Sequence, residues 1–160
     1  MSFLNGLIDE VLTVLKNDSA LSGVAFVGAY PVLNKPNPLK KSVLAVGISK
    51  IKAEDGALGA YLGESSQGSL YGKRIEVTLG LRLYTPPAEG GSKCTALFSD
   101  ILDCLLFSKE FSAGAAECSP VSYNSAVSAF SAQGTLTLRL YAAARETEGG
   151  IREITVRHAL

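Results

Sequence analysis

Between Arg74 and Tyr84 the chain alternates without a break: Ile75, Val77, Leu79, Leu81 and Leu83 fall on one side, Arg74, Glu76, Thr78 and Arg82 on the other. Successive side chains of a β-strand point to opposite faces, so this run predicts a strand with one buried and one wet face. That pattern belongs to an antiparallel or mixed sheet, since strands of a doubly covered parallel sheet are apolar throughout. Such a sheet needs a cover on its apolar side only.

Two amphipathic segments supply the cover. Leu4, Leu7, Ile8, Val11, Leu12 and Leu15 recur at helical spacing and predict a helix over 3–17, with Ser2 able to cap its start and Gly23 beyond its end. After the Pro86-Pro87 stop, Cys94, Leu97, Phe98, Ile101, Leu102, Leu105 and Leu106 predict a second helix over 92–108, with Asp100 and Asp103 towards solvent. Further strands are expected over 24–30, closed by Pro31, over 42–52, over 117–123 and over 129–143. Ile51 breaks the alternation of Leu44, Val46 and Ile48 and marks a bulge or a strand end. Ile151 to Arg157, after Gly149-Gly150, reads as an add-on strand. The expected fold is α+β: a mixed or antiparallel sheet of about five strands with both helices on one face, in the order α-β-β-β-α-β-β.

Residues 53–73 carry five glycines and read as a loop longer than a hairpin needs. Tyr61, Leu62, Leu70 and Tyr71 give it apolar anchors, so it is expected to be mobile in a free subunit and to order against a partner. Together with Ile151, Ile154 and Val156 these are the candidate interface residues. The C-terminal segment can pair within its own chain or with a neighbour, and a head-to-tail pairing closes into a ring where its rotation permits.

A length of 160 residues fits one domain, and 47% hydrophobic against 19% charged residues suffices for a core. Fifteen basic and fifteen acidic residues cancel, so no long-range field favours nucleic acid or anionic lipid. No apolar run approaches the roughly 20 residues of a membrane helix, and the N-terminal stretch lacks the basic leader and cleavage pattern of a signal peptide. Cys94, Cys104 and Cys118 have no zinc spacing and read as buried thiols of a reducing compartment.

Chemistry finds little support. Gly68-Ser-Leu-Tyr-Gly72-Lys73-Arg74 has the wrong spacing for a phosphate loop and no Ser or Thr after its lysine, and there is no G-x-G-x-x-G. The sole histidine, His158, is third from the end of the sequence. Asp100 with Asp103, and Asp9 with Glu10, lie on the polar sides of their helices. Lys40-Lys41 and the Lys50/Lys52 pair lack interleaved aromatics and read as lysines guarding strand edges. No catalytic, cofactor-binding or metal-ligating residues are expected, and the chain does not read as an enzyme.

The order of elements, with Arg74-Ile-Glu-Val-Thr-Leu-Gly-Leu-Arg-Leu-Tyr-Thr-Pro86, Gly90-Gly-Ser-Lys-Cys-Thr-Ala-Leu-Phe-Ser-Asp-Ile-Leu-Asp-Cys-Leu-Leu106, Val121-Ser-Tyr-Asn-Ser-Ala-Val-Ser-Ala-Phe130 and Gly134-Thr-Leu-Thr-Leu-Arg-Leu-Tyr141, resembles the small tail-terminator or tail-completion proteins of phages and prophages. The resemblance covers most of the chain and rests on order and texture. It implies a non-enzymatic subunit that caps the tail tube as a ring, usually of six copies. Its implied partners are its own copies, the tail tube with or without sheath proteins, and the head-tail connector. Its implied location is the bacterial host cytoplasm during assembly and then the particle. A neck connector one layer away and an adaptor domain outside any phage are the alternatives.

Overall fold

The computed structural model describes residues 3–28, 39–55, 61–65, 68–147 and 150–157, with the backbone alone over 62–65, 68–70, 143–147 and 150–157. The chain is α+β. Helix α1 (Phe3–Asn17) leads through a short 3-10 turn (Ser19–Leu21) into β1 (Ala25–Gly28), β2 (Val43–Asp55), β3 (Tyr61–Ser65) and β4 (Gly68–Thr85). Helix α2 (Ser92–Leu106) follows, then β5 (Ser112–Cys118), β6 (Ser122–Asn124), β7 (Ala129–Thr147) and β8 (Gly150–Arg157).

All eight strands join one sheet. Its path is β1-β2-β4-β7-β5, with β3 on β4 and both β6 and β8 on β7. Only β1 and β2 run parallel; the other pairings are antiparallel. The alternating run places Leu79 opposite Ile48 on one side and Leu136 on the other. Leu44, Val46, Val77, Leu79, Leu81, Leu83, Leu136, Leu138 and Leu140 form the buried face of the sheet. Leu7, Val11 and Leu15 of α1 and Leu97, Ile101 and Leu105 of α2 pack onto that face, so both helices cover one side, as the periodicities require.

The structure corrects the expected order in two places. Most of the expected loop over 53–73 is strand: β2 runs on to Asp55, Tyr61–Ser65 forms β3, and β4 already begins at Gly68. Glycines weaken strand propensity, but β3 folds back on β4 and pairs with it within the chain, which satisfies one edge of β3 without a second molecule. The expected strand over 117–123 is two strands, β5 beginning at Ser112 and β6 at Ser122, separated at Pro120, which has no N–H to give to the ladder. The add-on strand expected over Ile151–Arg157 is present within β8 and pairs antiparallel with residues 141–147 of the same chain.

The break at Ile51 is a bulge. The register of β2 against β4 shifts between Ile48 and Lys50, and Ser49, the extra residue, donates its hydroxyl to the Thr78 carbonyl at 3.0 Å. The shift turns Ile51 to the core side, opposite Val77, and sends Lys50, Lys52 and Glu54 to the wet side. Beyond Val46, β2 has no neighbour on its outer edge among the described residues, so Lys50 and Lys52 do sit on an edge.

The thiols differ from expectation in their burial. Cys94 is buried, Cys104 half-buried and Cys118, on edge strand β5, exposed; all three are free. Burial pushes the Cys104 thiol up from 9.0 to about 11, with Asp18 and Glu110 adding to the shift. A raised thiol pKa means that the unfolded chain ionises first. Below about pH 9 the neutral thiol leaves stability unchanged, and between pH 9 and about 11 ionisation in the unfolded chain lowers it. Alkylation at pH 8 is expected to modify Cys118 first, Cys104 much more slowly and Cys94 only on unfolding. Mass mapping of the adducts over time tests the order, and Cys94 labelling at the Cys118 rate would contradict it.

Candidate interaction surface

Strands β4 and β7 are 18 and 19 residues long, whereas each helix has 15. At roughly 3.3 Å per strand residue and 1.5 Å per helix residue, about 60 Å of strand meets about 22 Å of helix. The helices therefore do not cover these strands along their whole length. The boundary shows in the burial of the apolar face: Val77 is buried, Ile75 half-buried, Tyr71 exposed. On β2 the sequence is the same, from buried Val46 through half-buried Ile48 to Ile51, which is 47% exposed.

Beyond this boundary the sheet continues as an arm made of β3, the start of β4, the end of β7 and β8. Tyr61 and Tyr71 face each other across β3 and β4 in an edge-to-face contact, centroids 5.9 Å apart at 69°, and they remain 40% and 46% exposed. The same register row continues through Ala144 to Ile154, and the next row on that face joins Lys73, Ala142 and Val156. Leu70 lies opposite Gly63, Leu62 at the register shift of β3, and Ile151 opposite Glu146. The structure thus gathers all seven candidate interface residues on one arm, although they come from segments some 80 residues apart.

The reverse face of the arm's base is ionic. Glu54 binds Lys52 through one carboxylate oxygen and Arg74 through the other at 2.7 Å, and Arg74 and Arg139 flank Glu76 at 3.8 and 3.9 Å. On the face that carries Tyr71, by contrast, Lys73 pairs with Asp55. Its hydrogen bonds to Lys52 and Arg74 hold the Glu54 carboxyl below its ordinary value. Opposite signs alternate across β2, β4 and β7 and fix the register of the long strands, while exposure to solvent keeps each pair individually weak.

Further along the wet face, Gly80, Arg82, Glu117, Cys118, Gln133 and Thr135 line an open groove of about 450 Å³. Sequence reasoning did not mark it, because it forms only where strands distant in sequence meet. Among the remaining candidates, Asp9, Glu10 and Asp103 are exposed, as expected. Asp100 is half-buried and lines a cavity instead of facing open solvent. His158 lies outside the described residues. Among the described residues no three His, Cys, Asp or Glu side chains are grouped to hold a metal ion, and no helix is long and apolar enough to cross a membrane. No family model and no curated protein matches the chain.

Proposed function

We propose that this protein is a structural assembly subunit of a phage or prophage tail, a terminator that caps the tail tube as a ring of its own copies and presents a face to the head connector. One observation carries the reading: the apolar face of the sheet runs on past its helices, through exposed Ile51, to an arm whose Tyr61–Tyr71 pair stays open to solvent. Large exposed aromatic and aliphatic side chains grouped on a rigid element are a common signature of an interface. The paired arm holds them in place before association, so little ordering entropy opposes binding. Its own copies, the tube and the connector are the partners this reading assigns, in the host cytoplasm and then in the particle. It assigns no catalytic residue and no cofactor.

The test is light scattering and electron microscopy of the wild type beside a Tyr61→Ser/Tyr71→Ser double variant. The wild type is expected to form closed rings. The variant is expected to need at least about tenfold more protein to associate, with an unchanged far-ultraviolet spectrum because both rings are half outside the fold. A wild type that stays monomeric at the highest soluble concentration would sink the ring reading, and a variant that associates as well as the wild type would remove the arm from the contact.

A further inference from the structure

Six large apolar side chains are exposed among the described residues: Ile51, Tyr61, Tyr71, Leu106, Phe107 and Tyr123. All six stand on the helical side of the sheet. Ile51, Tyr61 and Tyr71 follow the flank of β2 and β3. Leu106, Phe107 and Tyr123 follow the flank of β5 and β6, since α2 lies over β7 with its Phe98 ring on Gly134, and Tyr123 pairs with Phe130. A single exposed apolar residue is ordinary, but six on one side of a sheet, divided between its two flanks, make a patterned surface. Phe107 is the most open of them, 80% exposed at the end of α2.

The end of α2 and the start of the uncovered face stand at one level along the strands. Helix α2 begins beside Thr85, whose hydroxyl lies 3.1 Å from the Cys94 thiol, and runs towards the start of β5, where Ser112 pairs with Arg139. From Phe98, above Gly134 and its partner Leu81, nine residues lead to Phe107, about 13 Å at 1.5 Å per residue. Along β4 the four residues from Leu81 to Val77 also cover about 13 Å, and Val77 is the partner of Ile51. Phe107 and Ile51 are thus level but on opposite flanks, with β4 and β7 between them, and do not meet within one chain.

The flanks differ in sign as well. Lys50, Lys52 and Glu54 leave the free edge of β2 one positive charge in excess, and Lys109, Glu110 and Glu117 leave the β5 flank one negative charge in excess. A copy displaced sideways along the sheet therefore brings an apolar knob to an apolar surface and an acidic edge to a basic one, whereas two like flanks oppose like charges.

We propose that copies join head to tail, with Leu106 and Phe107 of one packed on Ile51 and the adjoining Tyr61–Tyr71 surface of the next, and Glu110 and Glu117 beside Lys50 and Lys52. This contact rests on the self-association read above and supplies the surface that the arm meets. It uses a different patch on each copy, so it repeats, and it closes into a ring where its rotation permits.

Disulfide trapping tests the contact in a Cys118→Ser background, which lacks the exposed thiol. After mild oxidation the Ile51→Cys/Phe107→Cys protein is expected to form a ladder of covalent oligomers on non-reducing gels. A mixture of the two single variants is expected to stop at dimers, and either single variant alone to stay free of cross-links. Phe107→Ser is expected to need about tenfold more protein to associate, with an unchanged urea midpoint because the ring lies outside the fold. Light scattering of the wild type separates this contact from the ring reading. Copies that associate without cross-links between the two positions, that cross-link through like positions, or that associate undiminished in Phe107→Ser overturn the head-to-tail contact while self-association stands. A wild type that stays monomeric at the highest soluble concentration overturns both.

Discussion

Replacing Leu79 by alanine is expected to lower the unfolding free energy by about 3–5 kcal/mol, towards the upper end for a buried leucine. Leu79 has no solvent exposure and sits on β4 between Ile48 of β2 and Leu136 of β7. Hydrogen-bonded strands on both sides prevent the backbone from closing over the missing methyl groups, so the cavity stays open. Urea denaturation of both proteins measures the difference, and a loss below about 1 kcal/mol would show that the site relaxes freely and is not the centre of the core.

The second large effect comes from adding a single carbon. A Cβ on Gly134 would lie 2.4 Å from Cε2 and 3.1 Å from Cδ2 of Phe98, and 3.3 Å from the Glu117 carbonyl oxygen. The Phe98 ring therefore rests directly on the bare backbone of β7, and glycine is required there for close approach. Gly134→Ala is expected to destabilise by about 1–3 kcal/mol through overpacking. Phe98→Leu shortens the opposing side chain, so the double variant is expected to be more stable than the two single losses predict. Strict additivity in that double-mutant cycle would place the cause elsewhere, for example in the contact with Glu117.

The fold was legible where pattern and burial agree. Strict alternation over residues 74–84 identified the central strand and its inward face, and the spacing from Leu4 to Leu15 identified α1 to the residue. Ile51 flagged the β2 bulge for the right reason, since a single out-of-phase apolar residue has no place on the wet face. The arm was not legible. Its strands are rich in glycine and small polar residues, which read as loop because their stability comes from pairing with partners distant in sequence. Tyr61 and Tyr71, read as anchors against a partner, contact each other within the chain. The cavity that Asp100 lines together with Lys40, Lys41 and Lys93 was invisible for a related reason: these residues look like ordinary surface charge until the start of β2 and α2 are brought side by side.

The long pairing of β4 with β7 also sets a timetable for synthesis. Thr85 pairs with Phe130, 45 residues downstream, and Tyr71 pairs with Ala144, 73 residues downstream. On a ribosome adding 5–20 residues per second, β4 therefore waits roughly 2 to 15 s for its partner, with one edge of its backbone unsatisfied. During that interval β2 can pair with β4 from one side, but nothing yet made can cover the other. The waiting edge carries Leu79, Leu81 and Leu83, a template for pairing with nascent chains on neighbouring ribosomes. The charges of Arg74, Glu76 and Arg82, spaced along that strand, oppose such pairing by placing like charges together in an in-register parallel stack of identical chains.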